Sequence, residues 1–226
     1  MHEFVAGRIW VERIPLRFLG LPMGTRMTVI KLAGGRLFVH SPVPPTPALG
    51  REIEAIGKPA FIVAPNRLHH LFLTPFMAAY PDAKLYIVKE LAKKRPDLSP
   101  AGVLGDTPEP GWAAEIDQCL FRGSIFQEEA VFLDRDSGTL IVVDLLESVH
   151  REDSWYMRLF GRLAGTYQRA ALTRDQRLTF RDRAAARDSA VRILSWDFER
   201  IILAHGHLIE RDGKRVFTEA MRWLTG

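Results

Sequence analysis

The chain has 226 residues, 47% hydrophobic and 26% charged, with a formal net charge of +4. That is ordinary globular composition, long enough for one buried core, and without a linker that would divide it, so a single domain over 1–226 is expected. One cysteine, Cys119, excludes an internal disulfide framework, and no apolar run reaches the ~18 residues of a membrane span. The opening "MHEFVAGRIWVERIPLRF" lacks the apolar stretch of a signal peptide. A soluble protein in a reducing, cytoplasmic compartment is the reading that fits, and the mild positive charge by itself names no partner.

In chain order, "MTVIKL" (27–32) and "RLFVHSPVPP" (36–45) read as a hairpin turned by "AGG". "TPALGREIEAIG" reads as a helix, with Thr46 as cap, Pro47 in the first turn and Gly57 closing it. "PAFIVAP" is a short apolar strand of the kind buried on both faces. "HLFLTPFMAAYP" reads as a helix leading into the strand "AKLYIV". "EEAVFLDRDSGTLIVVDLL" reads as two strands around a polar turn at 134–138. Helical segments follow over about 153–196, then a buried strand in "ERIILAHGH" and a closing helix in "FTEAMRWL". Alternating strands and helices predict an α/β layered fold.

Three buried strands end in polar residues. "FIVAP" runs into Asn66, Arg67, His69 and His70, "LIVV" into Asp144, and "IILA" into His205 and His207. In layered α/β proteins such positions share one rim, where ligands bind. Histidine with aspartate suits zinc, manganese or iron. Taken singly, each has a plainer reading: adjacent histidines as local hydrogen-bonding groups, Asp144 as a helix cap, His205 and His207 as strand ends. The shared topological position is the stronger signal.

The stretches "VAPNRLHHLFL", "YPDAKLYIV", "EEAVFLDRDSGTLIVVDLL" and "WDFERIILAHGHLIE" resemble the metallo-β-lactamase superfamily, and within it a little-studied bacterial family of unknown function. The likeness covers most of 27–224 and rests on order and spacing. It implies a four-layered αββα sandwich and hydrolysis by water activated on a divalent metal. The superfamily's first motif is His-x-His-x-Asp-His. With His70 in its last place, Pro65 and Arg67 stand for the first two histidines and His69 for the aspartate. Pro81, eleven residues after His70, suits this register. No histidine lies between His70 and His150, so one further ligand is missing; "FRGS" (121–124) stands at its place. Asp144 matches the metal-bridging aspartate and His205 the final histidine.

The resemblance therefore implies one surviving metal site made of His69, His70, Asp144 and His205, with zinc ahead of manganese and iron. Arg67 would bring a fixed positive charge to the vacated place, toward a substrate carboxylate or phosphate, with a plain salt bridge as its rival. Asp144 would ligate or act as base, and His207 would orient a ligand or shuttle a proton. The alternative is a metal-free, non-catalytic descendant that binds a partner or a phosphate-bearing ligand.

Residues 151–200 hold eleven arginines, no lysine and seven acidic residues. The mixture reads as a solvated helical face laced with ion pairs rather than a nucleic-acid surface. Residues 151–196 are expected to form a helical insertion or cover. The helix beginning near Trp155 and Tyr156 would close the site mouth or make a homodimer contact. His40 is expected to end a strand near the site, Trp196 and Trp223 to pack in the core, and Cys119 to be a buried thiol.

Overall fold

The computed structural model describes residues 1–225. Its first sheet has seven strands: β1 (His2–Val5), β2 (Ile9–Ile14), β5 (Thr25–Lys31), β6 (Arg36–His40), β7 (Lys58–Ala64), β8 (Lys84–Ile87) and β9 (Gly102–Val103). They lie in the order β1-β2-β5-β6-β7-β8-β9. A two-stranded ribbon, β3 (Arg17–Phe18) and β4 (Leu21–Pro22), stands apart. The second sheet has the order β10-β11-β12-β13, with β10 (Ile116–Phe121), β11 (Glu129–Asp134), β12 (Thr139–Ile141) and β13 (Arg200–Ile202).

Strand alternation shows how the sheets are layered. Ile116, Leu120, Ala130, Phe132, Ile141 and Ile202 of the second sheet join the core of the first sheet. Their neighbours Cys119, Phe121, Val131, Leu133, Leu140, Ile201 and Leu203 face the other way. There they pack under α6 (Arg183–Leu194) and α7 (Gly213–Thr225), through Ala186, Ala190, Ile193, Phe217 and Met221. Period-two side chains on a sheet buried on both faces require this split. The first sheet is covered by α1 (Pro47–Ile56), α2 (Leu73–Ala79) and α3 (Lys89–Lys94), which add Leu49, Ile53, Leu73, Phe76 and Leu91 to its core. The result is the expected αββα sandwich.

The central expectations on single elements hold. β5 and β6 pair as a hairpin, and the Thr46 hydroxyl caps α1 by accepting the Leu49 N–H at 3.2 Å. β11 and β12 flank the 134–138 turn. The sequence reading missed residues 2–22 and the strand β10, and it started the helix after "HH" too early. Residues 69–72 form a turn, and α2 begins at Leu73. Within the segment expected as a helical insertion or cover, α4 (Trp155–Ala164) and α5 (Arg174–Leu178) pack on each other, while α6 belongs to the outer helical layer. Among the described residues no helix is long and apolar enough to cross a membrane.

Candidate metal centre

Four chain segments deliver the site, all from the carboxyl ends of parallel strands. β6, β7 and β8 run parallel, as do β12 and β13. Ser41 follows β6, Asn66 and His69 follow β7, Asp144 follows β12 and His205 follows β13.

Asp144 is the hub. Its Oδ1 lies 3.3 Å from His69 Nε2 and 3.0 Å from His205 Nε2, and its Oδ2 accepts a 2.6 Å hydrogen bond from Asn66 Nδ2. Ligand atoms of His69, Asp144 and His205 fall within 4.8 Å of one another. Each imidazole is steered by a partner on its far nitrogen. His205 Nδ1–H donates to the Gly24 carbonyl at 2.8 Å, which turns Nε2 inward. His69 Nδ1 lies 2.6 Å from Ser41 Oγ. Ser41 holds φ of +54°, a left-handed conformation that costs a non-glycine residue about 1 kcal/mol or more.

The loops are braced by buried polar groups. Asn66 Oδ1 accepts the backbone N–H groups of Leu68 (2.9 Å) and His69 (3.0 Å), closing the turn that carries His69. Arg26, on β5, donates to the carbonyls of Leu203 and Gly206, on either side of His205. Burial and the nearby Arg13 lower this guanidinium to about 10. Gly206 has φ of +120°, and a Cβ there would stand 2.2 Å from Ser148 Oγ. Gly206→Ala is therefore expected to cost roughly 3 kcal/mol and displace His205, read by urea denaturation and metal affinity.

Electrostatics divide the buried carboxylates. Burial alone would raise Asp144, but the His69 and His205 rings hold it well below the usual carboxylate range. Glu129 accepts the backbone N–H groups of Val143 (2.8 Å), Asp144 (2.8 Å) and Leu145 (3.0 Å). Burial and the Asp144 charge nevertheless push it up to about 8. The surroundings thus favour the charged form of Asp144 and the neutral form of Glu129. His205, although buried, is raised above the usual imidazole range by Asp144 and then Glu147. Burial also pushes Glu147 up to about 7.

Raised groups bind protons in the folded state that the unfolded chain releases, so their stabilisation is lost as pH rises. His40 works oppositely: burial lowers it to about 3, so it destabilises the fold below the unfolded imidazole range. Above pH 6.5 that contribution is constant, and Glu129, Glu147 and His205 govern the slope. The melting temperature of chelator-treated protein is expected to fall between pH 6.5 and 8.5, measured by calorimetry.

An open cavity of about 230 Å³ lies over this cluster. Leu16, Phe18, Met23, Leu68, Leu71 and Phe72 supply its apolar wall, and Lys94, Glu147 and Gln176 its polar points. Gln176 Nε2 donates to Glu147 Oε1 at 3.3 Å. On another side of Asp144, beside Phe121, Ser124, Gln127 and Glu129, only about 20 Å³ remains.

Three of the expected site residues lie outside the His69–Asp144–His205 group. His70 does not join the ligand group; it borders the cavity and accepts from Arg95 Nη1 through Nδ1 at 3.3 Å. The turn at 69–72 points neighbouring rings in different directions. Arg67 does not reach the cavity either. It donates to the Phe126 carbonyl (3.1 Å) and lies over the Phe126 ring, while Lys94 takes the place at the rim. His207 stacks on His150, ring centroids 3.9 Å apart, away from Asp144. His40 is a buried neutral ring edge-on to Phe132. Glu129 and Glu147 were missed as site residues; "EEAV" and "LLES" carry no motif, and only the fold brings them to Asp144.

Comparison with known proteins bears on the fold and on the family. The chain is similar in structure to a metallo-β-lactamase from Pontibacter korlensis, with a TM-score of 0.66 and 10% identity over 98% of this chain and 97% of that one. It is also similar to the metallo-β-lactamase FIM-1 from Pseudomonas aeruginosa in its mono-zinc form: TM-score 0.65, 10% identity, 98% and 95% covered. A metallo-β-lactamase from Erythrobacter litoralis gives TM-score 0.65 at 13% identity, over 96% and 93%. At such identities the likeness establishes the fold. No curated protein is significantly similar in sequence. The profile of a domain of unknown function, DUF4336, matches residues 7–171, which include His69 and Asp144 but end before His205. The chain is a member of the DUF4336 family, built on the metallo-β-lactamase fold.

Proposed function

We propose that the protein is a metal-dependent hydrolase that holds one divalent ion, zinc first, between His69, Asp144 and His205. The carrying observation is the convergence of two steered imidazole Nε2 atoms on one oxygen of a buried carboxylate. Ligand atoms around a tetrahedral zinc stand about 3.3 Å apart, close to the 3.0 and 3.3 Å separations here, so the donor set suits the ion in type and spacing. The narrow 20 Å³ space beyond Asp144 favours one ion over two. When bound, such an ion polarises a carbonyl or phosphoryl group and makes water acidic near neutral pH.

The chain's own residues supply the rest. The apolar wall takes the body of a small substrate and excludes water, while Lys94 meets an anionic group at the rim. Glu147, poised near neutrality beside the cluster, exchanges a proton with the reacting groups. Glu147→Gln is expected to lower kcat by ~10²-fold or more with KM little changed, measured on whichever ester, lactone, thioester or phosphodiester a substrate screen identifies. Hydrolysis should disappear on chelation and return with zinc; activity that survives chelation contradicts the reading.

One observation favours a second reading, a binding protein without turnover. Asp144, His69, His205 and Asn66 satisfy one another in a mutual hydrogen-bond network. Failure to take up zinc, manganese or iron would favour it.

A further inference from the structure

A second group of ligating side chains lies on the far side of the "AHGH" loop. Ring nitrogens of His150 and His207 and a carboxylate oxygen of Glu152 lie within 4.8 Å of one another. The two rings are stacked, with centroids 3.9 Å apart and planes tilted by 32°. His150 is half-buried; Glu152 and His207 are exposed.

The backbone holds this group in place. Asp153 Oδ2 accepts the His150 N–H at 2.7 Å, and the Asp153 N–H returns to the His150 carbonyl at 3.3 Å, closing the turn that carries Glu152. Ser148 ties the two loops together. Its N–H donates to the His205 carbonyl (3.1 Å), its Oγ accepts the His207 N–H (3.2 Å), and the same Oγ lies 3.2 Å from His150 Nε2. Among the described residues, neither the Glu152 carboxylate nor the His207 ring has a hydrogen-bond partner, so both retain their ligating capacity.

We propose that His150, Glu152 and His207 form a second, solvent-facing site for a borderline divalent cation: zinc, nickel or copper. Two imidazole nitrogens and one carboxylate oxygen suit these ions, whereas magnesium and calcium require an all-oxygen shell. Zinc ligand atoms about 3.3 Å apart can be reached from the 4.8 Å grouping by small rotations of exposed side chains.

The site bears on the first one through the chain. His205 and His207 flank Gly206, and Arg26 and Ser148 grip the same loop. An ion on His207 would brace the segment that presents His205 to Asp144.

The test isolates this site from the first. Tag-free full-length Asp144→Asn is titrated with zinc alone by calorimetry, then compared with the same chain carrying His150→Ala or His207→Ala. One zinc per chain is expected in Asp144→Asn, with affinity at least ten-fold weaker in both combined variants and unchanged circular dichroism. Magnesium should not compete. Zinc uptake unaffected by either histidine substitution, no uptake by Asp144→Asn, or displacement by magnesium would each overturn the proposal. None of these results depends on hydrolytic activity, so the two sites can fail separately.

Discussion

Asp144→Asn is expected to weaken zinc binding at the His69–His205 centre by more than 100-fold while changing the melting temperature of the metal-free protein little. The split follows from what the carboxylate does in each state. An ion between two imidazoles loses its only anionic donor in this variant, and even residues that merely orient ligands change metal affinity 10–100-fold. In the metal-free protein Asp144 is a buried charge beside Glu129, a second buried carboxyl that it raises to about 8. Replacing Asp144 removes the desolvation cost of that buried charge together with its pairing to the His69 and His205 rings, and the two largely offset. Asparagine can still accept from Asn66 Nδ2, which now donates to Asp144 Oδ2 at 2.6 Å. A residue kept for packing would destabilise the fold when replaced; a residue kept for a ligand would not. Zinc calorimetry and thermal denaturation with chelator read the two halves independently.

Glu129→Ala is expected to do the reverse, lowering unfolding stability by about 4 kcal/mol in the metal-free protein. Its side chain accepts three consecutive backbone N–H groups, those of Val143, Asp144 and Leu145, where β12 gives way to the loop carrying Asp144. Truncation leaves all three without a partner in the interior, at roughly 1–3 kcal/mol each before relaxation or water entry. Urea denaturation measures this directly. A loss below about 1 kcal/mol would mean that the loop does not depend on Glu129. Metal affinity should fall as well, because the same three N–H groups set the direction of Asp144.

How much of this was legible beforehand depends on the range of the interaction concerned. The strands β5, β6, β7, β8, β11, β12 and β13 announce themselves by apolar runs between turn residues, and Thr46, Pro47 and Gly57 bound α1 by local rules. β10 does not: "IDQCLF" mixes a charge and an amide with apolar residues, and only its place between β11 and α6 makes it a strand. The strand-end argument singled out His69, Asp144 and His205 because carboxyl ends of parallel strands share one rim, a property of topology. It also named His70 and Arg67, which the fold places outside that group; there the choice rests on a four-residue turn set by Asn66. Glu129, Glu147 and Arg26 were invisible for a related reason. Their partners are backbone groups 14 to 180 residues away, or buried charges that exist only after folding.

The central claim is that His69, Asp144 and His205 hold one metal ion. The most direct measurement is elemental analysis of tag-free His207→Ala, in which the second site is removed, after dialysis against zinc and then buffer. Close to one zinc per chain is expected, and none when Asp144→Asn is added. No zinc in His207→Ala, or equal zinc with and without Asp144→Asn, would contradict it.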